Sequence, residues 1–272
     1  MQGKDSCCCF PNSPRCTRDD SIHTVSIKFD ADTNLTSILT LMKYKHLFFD
    51  LDHTLWDFDA NARATLQQLH IDLDLVDKGI HDFDMFYRNY LEHNEKLWAR
   101  YRNGYIKQEE LRIKRMWLTL LDFKVADEEL ARQLSELFLQ LLPSRTILFP
   151  DTKEVLQYLA DKGYELHLIT NGFELTQHSK LKSSGLENFF KNVITSEGSN
   201  SLKPQKEIFD YALNKSGAKV EESLMIGDSI EVDIAGAIAA GMDQVHVNYN
   251  GAEQSLTPTY TITALNQLKD FL

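Results

Sequence analysis

Asp50 and Asp52, two carboxylates one residue apart at the end of the apolar run HLFF, are the first residues that could do chemistry together. On an extended backbone alternate side chains point the same way, so the pair would project from one face. Carboxylates so close repel one another and resist double ionisation. A divalent cation between them, a shared proton, or acid–base work with one group neutral would each resolve that. Three further groups follow apolar runs in the same manner. Thr170-Asn171-Gly172 offers a hydroxyl, an amide and a flexible backbone, which can cradle phosphate oxygens or form an ordinary turn. Lys203-Pro204 follows NVIT, with the proline suited to a first helical position. Lys203 would then stand at a helix N-terminus, where a cation opposes the dipole and invites an anion; a plain surface lysine is the alternative. Gly227-Asp228-Ser229 closes the set, with Asp233 five residues past Asp228. Asp228 could equally cap a helix, and Asp233 could be an exposed charge.

The elements that must position these residues are legible as a repeat. Continuous apolar runs occur at His46 to Asp50, Glu165 to Thr170, Asn192 to Thr195, Ser223 to Asp228 and Gln244 to Val247. Such runs suit a parallel sheet buried on both faces. Helical stretches at 152–162, 174–184, 204–216 and 230–240 are each followed by a glycine: Gly163, Gly185, Gly217 and Gly241. A glycine there supplies the left-handed residue that closes a helix before the next strand. The pattern predicts an α/β fold with a doubly wound, Rossmann-like parallel sheet over 42–57 and 146–272. Between Asp57 and Arg145 the signals are helical only, which predicts a helical insert over 58–145. It would lie beside the carboxyl end of the first strand, where ligands bind in open α/β sheets; padding of one sheet face is the plainer alternative.

In a parallel sheet all carboxyl ends lie on one edge. Asp50, Asp52, Thr170, Lys203, Asp228 and Asp233 would gather there. Carboxylates, one lysine and one hydroxyl describe a site for Mg²⁺ and phosphate, since Mg²⁺ takes oxygen ligands and keeps company with phosphate oxygens. No His or Cys cluster points to zinc.

Composition narrows the partner. The 272 residues are 43% hydrophobic and 25% charged, with a net charge of −11. That balance argues against a nucleic-acid polymer or an anionic membrane and leaves a small phosphate ester whose charge the site neutralises. The four cysteines all lie within the first 16 residues, so the body of the chain has no disulfide, which suits a cytoplasmic setting. The Cys7-Cys8-Cys9 run could be a metal or palmitoylation site, but no paired CxxC or basic cluster supports it. Residues 1–41 show no sustained period beyond a weak alternation at 23–29, and Met42 opens MKYKHLFFDLD. The expectation is an N-terminal extension, mostly disordered, ahead of a natural start at Met42.

The ordered set DLDHT, ITNG, KP and GDSIEVD resembles the four motifs of the haloacid dehalogenase (HAD) superfamily of phosphatases. The likeness covers Lys43 to the C-terminus, with the insert placed like that family's C1 cap. The resemblance implies that Asp50 is the nucleophile and Asp52 the acid and then the base. It implies that Thr170 and Lys203 hold the phosphoryl group and that Lys203 also compensates charge on Asp50. Asp228 would bind Mg²⁺ with Asp50 and the backbone carbonyl of Asp52, and Asp233 would orient that shell. His53 departs from the commonest form, where many relatives carry glycine. Asp52 is absent from relatives that displace halide from carbon, so its presence here implies phosphate esters. The segment from Asn94 to Gly104, together with Thr170-Asn171-Gly172-Phe173 and KPQKEIFDYAL, is similar to YjjG-type pyrimidine 5′-nucleotidases. That implies nucleoside monophosphates as substrates; the chain itself is expected to be a monomer or homodimer. Trp98, Tyr101 and Phe173 could then stack a base, with Asn94 on its edge and Asn171 and Gly172 near the phosphate; Trp98 and Tyr101 could equally be the packed face of a cap helix. A sugar-phosphate or phosphoglycolate phosphatase, or a phosphomutase, would use the same machinery. A non-catalytic nucleotide-binding module has no need of Asp52.

Overall fold

The computed structural model describes residues 43–253 and 255–272. The extension expected over 1–41, the start at Met42 and the cysteine run lie outside the described residues. Six strands form one sheet: β1 (His46–Phe49), β2 (Glu165–Thr170), β3 (Asn192–Thr195), β4 (Ser223–Gly227), β5 (Asp243–Val247) and β6 (Tyr260–Ile262). Their spatial order is β3-β2-β1-β4-β5-β6, and every pairing is parallel. The order reverses beside β1, where an open α/β sheet forms its ligand crevice.

Alternation along β1 explains its unbroken apolar run. Leu47 and Phe49 enter one core with Leu166, Leu168, Leu224 and Ile226. Phe48 enters the opposite core with Ile169, Met225, Ile208 and Phe209. Neither face of the strand meets water, so no polar position breaks the pattern.

Between β1 and the helix Thr152–Asp161 come four helices: α1 (Phe58–Asp72), α2 (Phe83–Arg102), α3 (Gln108–Asp122) and α4 (Glu128–Leu141). Asp57, Asp82 and Asp127 cap α1, α2 and α4 by accepting from the N–H groups of Ala60, Met85 and Leu130. The four pack as neighbours, α1 on α2 and α4, and α3 on both α2 and α4. The core helices follow as α5 (Thr152–Asp161), α6 (Glu174–Ser184), α7 (Lys206–Ser216) and α8 (Ala235–Ala240).

Two helix boundaries differ from the sequence expectation. Pro204 is not a first helical residue: it follows Lys203 through a cis peptide bond, and α7 begins only at Lys206 after Gln205. The stretch 230–240 is not one regular helix either. Ile230–Ile234 forms a π-type turn that leads into α8, a wider coil that recurs at functional sites. Here it turns Asp233 inward, where it is 1% exposed.

On β2, an interior strand, His167 is fully buried, 4.8 Å from the Phe48 ring. Its Nε2 lies 3.2 Å from Nδ1 of His46. Burial, aided by the neighbouring His46, pulls His167 down to about 4. A histidine held neutral in the fold protonates first in the unfolded chain. Its contribution is therefore complete above pH 6.5 and lost as the pH falls from 6.5 towards 4. Urea titrations across that window should show native stability dropping by about 3 kcal/mol, a slope missing from His167→Leu; equal slopes in the two proteins would contradict the assignment.

Candidate active site

The carboxyl ends of β1, β2 and β4 bring one ammonium and three carboxylates together. Lys203, 1% exposed, places Nζ 2.5 Å from Asp50 Oδ1 and 2.7 Å from Asp233 Oδ1, and it donates to the carbonyl of Ile169 at 2.8 Å. Asp50 follows directly on β1, and its N–H extends the ladder to the carbonyl of Ile226. Thr54 ties in the third acid: its hydroxyl accepts from the N–H of Asp228 and donates to the Asp228 carboxylate, each at 3.0 Å. Asp228 does not cap the helix that follows; Ser229 does, accepting from Val232. Asp233 accepts from the N–H of Ser229 and lies over Gly227, where a Cβ would collide with its carboxylate. The glycine therefore permits the close approach of Asp233 to the site.

The electrostatics follow from burial. Burial and the charges of Asp233 and Asp228 push Asp50 up to about 8, against the pull of Lys203. Burial and Asp233 push Asp228 up to about 7, opposed by the hydrogen bond from Thr54. Lys203 moves the other way: burial would lower it, but Asp233 and Asp50 hold it above its usual range. Three carboxylates face one cation, and the excess negative charge invites another. Asp50, Asp228 and Asp233 offer oxygens that all lie within 4.8 Å of one another. A donor set made of oxygen alone, with surplus negative charge and a neighbouring cavity, fits a hard divalent cation such as Mg²⁺.

Asp52 stands apart from that cluster, beyond the end of β1 in the turn that closes at Trp56. Its two oxygens are held from α6: Lys180 Nζ at 2.5 Å and Gln177 Nε2 at 2.8 Å. Burial would raise this carboxyl, but the charge and hydrogen bond of Lys180, with that of Gln177, outweigh it and hold Asp52 low. Lys180 is 2% exposed, and its ammonium lies 4.2 Å from the centre of the Trp56 ring. Gly172 makes the Gln177 contact possible, because a Cβ there would overlap the Gln177 amide. His53, between the acids, has φ 66° and lines the cavity. That left-handed conformation explains the departure noted in the sequence: glycine adopts it freely and histidine tolerates it better than most residues.

Thr170 is buried at the end of β2 and accepts from the N–H of Gly172 at 3.1 Å. Asn171 is committed to the backbone. Its Nδ2 donates to the Lys203 carbonyl at 2.9 Å, and its Oδ1 accepts the Lys203 N–H at 2.7 Å. The amide thus fixes the turn that carries Lys203.

A cavity of about 440 Å³ opens above these groups, bounded by α2, α3 and α4 on one side and the strand ends on the other. Asn94, Trp98, Gly172 and Phe173 line it, together with Asp50, Asp52, Thr170 and Lys203. Trp98 stacks on Phe173, with centroids 5.6 Å apart, and so ties α2 to the loop after β2. Tyr101 does not line the cavity; it meets the Trp98 ring edge-on. For Tyr101 the packed-face alternative describes the structure: it packs against the cluster of Leu97, Ile106, Leu111 and Phe173.

Four residues of this site went unassigned in the sequence: Thr54, Gln177, Lys180 and Arg115. Gln177, Lys180, Leu181 and Ser184 form the buried stripe of α6.

Comparison with known proteins agrees with this geometry. Residues 44–241 match the family model described as haloacid dehalogenase-like hydrolase. The chain is 31% identical over 236 residues to the pyrimidine 5′-nucleotidase YjjG of Escherichia coli, covering 85% of this chain and 99% of that one. It is 31% identical over 234 residues to the pyrimidine 5′-nucleotidase PynA of Streptococcus pneumoniae, covering 85% and 96%. Among solved structures, the magnesium-bound putative HAD-hydrolase YfnB of Bacillus subtilis superposes with a TM-score of 0.77 at 28% identity, over 84% of this chain and 98% of that one. With the family model spanning most of the chain and the motif residues meeting at one sheet edge, this protein is a phosphatase of the haloacid dehalogenase-like hydrolase family.

Proposed function

We propose that the protein hydrolyses nucleoside 5′-monophosphates, with pyrimidine bases preferred, through a phosphoaspartate on Asp50 and with Mg²⁺. The observation that carries this reading is the division of labour between two buried lysines. Lys203 pairs with Asp50 among the three carboxylates, and Lys180 pairs separately with Asp52. One acid is thereby set beside a cation that can also meet phosphate, and the other beside a cation of its own.

In the first step an Asp50 oxygen bonds to phosphorus and the ester P–O bond breaks. The leaving oxygen takes a proton by way of Asp52, which is ionised in the resting site and receives that proton from the phosphate monoester as it binds; Lys180 compensates the carboxylate that remains. In the second step Asp52 removes a proton from water as that water bonds to phosphorus, and Asp50 departs as carboxylate. One difficult displacement is thus split into two easier ones. Lys203 and the Thr170 hydroxyl hold the transferring oxygens, and Asn171 keeps Lys203 in place. Mg²⁺ held by Asp50, Asp228 and the Asp52 carbonyl, with Asp233 orienting that shell, would supply charge stabilisation at the phosphoryl oxygens.

The cavity volume falls in the range of small-molecule sites, and YjjG and PynA, both pyrimidine 5′-nucleotidases, match the chain across cap and core alike. Trp98 and Phe173 offer the leaving nucleoside an aromatic wall, and Asn94 a polar edge. Helices 58–145 act as the cap over the 42–57 and 146–272 core. Phosphate release from nucleoside monophosphates, ribose 5-phosphate, phosphoglycolate and glyceraldehyde 3-phosphate tests the reading, with Mg²⁺ and with chelator. We expect release to require Mg²⁺ and to be fastest with pyrimidine monophosphates. Faster release from the sugar phosphates would overturn the nucleotidase assignment, and release that survives chelator would overturn the metal.

A further inference from the structure

The wall of the cavity carries a charge with no counter-charge. Arg115 on α3 is 3% exposed and lines the cavity. Its Nη1 donates to Asn94 Oδ1 at 3.0 Å, while Nε and Nη2 have no hydrogen-bond partner. Among the described residues no carboxylate lies within ion-pair distance of it. The Tyr90 and Phe138 rings, 5.9 and 5.0 Å from Cζ, give it cation–π contact but no carbonyl or carboxylate oxygen. A guanidinium stays ionised and has five donors and no acceptor. Burying one with donors unmet is costly, and Nε and Nη2 are closed to the cavity itself, so the position makes sense where the one bond it makes, to Asn94, serves the cavity.

The rest of the wall narrows the ligand group that this bond serves. Asn94 spends its oxygen on Arg115 and keeps its NH₂, so the pair presents donors only. Asp59, Glu95 and Arg102 line the same cavity; Arg102 already faces the charge of Glu95, so the wall offers a second anion little net attraction. A neutral acceptor fits both facts, and every pyrimidine nucleoside carries a base carbonyl. We propose that Arg115 is a positioning residue for base recognition: its bond to Asn94 Oδ1 fixes the Asn94 amide so that the Asn94 NH₂ donates to a carbonyl oxygen of the base when the phosphate lies at Asp50. The assignment rests on the nucleotidase reading above.

The test compares kcat and KM for uridine 5′-monophosphate and for ribose 5-phosphate, which lacks the base, in the native protein, Arg115→Met and Arg115→Lys. Thermal melting without substrate is measured beside them. The native protein should prefer the nucleotide. Arg115→Met should lose roughly ten- to a hundredfold in kcat/KM for it, mostly through KM, and little for ribose 5-phosphate. Arg115→Lys, which keeps the charge without the fork, should fall between. Met should melt no lower than the native protein, because an unmet buried charge has been replaced by an apolar chain. An unchanged preference in either folded variant overturns the role of Arg115 and leaves the nucleotidase reading standing. Equal losses on both substrates with a lower melting temperature make Arg115 structural and overturn it as well. A native preference for ribose 5-phosphate overturns the nucleotidase reading itself, and the assignment with it.

Discussion

Asp50→Asn should reduce phosphate release by on the order of 10⁴-fold or more while leaving a folded protein, because the amide cannot form the ester to phosphorus. The substitution keeps the shape of the side chain and removes one of three mutually repelling buried carboxylates. Asp50 sits high, at about 8, through burial and through Asp233 and Asp228, so its charged form is already disfavoured and a neutral amide in its place costs the fold little. Melting should therefore change little or rise slightly, even as activity disappears. Circular dichroism melting beside single-turnover phosphate release checks both halves. Activity within tenfold of the native protein would remove Asp50 as nucleophile. Lost activity together with a collapsed melting transition would show that the residue serves the fold.

Lys203→Met should show the opposite combination, losing stability and activity together. Among the described residues its ammonium is the cation paired with both the Asp50 and the Asp233 carboxylates. Removing one partner of a buried ion cluster leaves uncompensated charge and costs about 3–5 kcal/mol, which in a chain of this size lowers the melting temperature by roughly 10 °C. Removing a cation aimed at the transferring oxygens costs a further 10²- to 10³-fold or so in kcat. The double variant Lys203→Met with Asp233→Asn separates the two effects. Neutralising Asp233 should recover part of the lost stability and none of the lost activity, because the two side chains share one network. If the double variant melts no higher than Lys203→Met alone, the Lys203–Asp233 pair is not what holds the turn.

The core of the fold was legible because its strands are buried on both faces. His46 to Phe49 and Ser223 to Gly227 read as unbroken apolar runs, and glycines at positions 163, 185, 217 and 241 marked the helix ends. All four have positive φ in the structure. Strand β6 was not legible: Tyr260–Ile262 is three residues at the sheet edge, with Thr261 exposed, too short to show a period. Lys203 was placed at a helix N-terminus because a proline followed it. That rule concerns local backbone preference, whereas here the turn is fixed from a distance by the Asn171 amide. The acids Asp50, Asp52, Asp228 and Asp233 could be gathered from strand order alone. Lys180 and Gln177 could not, since nothing local distinguishes them from polar residues on a solvated helix; their partner, Asp52, lies more than 120 residues away in sequence. Arg115 is hidden for the same reason, its burial being set by how α3 packs on α2 and α4.

The claim most open to direct test is that two displacements occur at phosphorus, the first by Asp50. Each in-line displacement inverts the phosphorus centre. The measurement is the stereochemical course of hydrolysis for a nucleoside 5′-phosphorothioate made chiral at phosphorus with ¹⁶O and ¹⁸O, run in ¹⁷O-labelled water, which yields a chiral thiophosphate. Two displacements through Asp50 predict net retention of configuration. Net inversion would mean that water attacks the substrate directly, and would contradict a phosphoaspartate on Asp50.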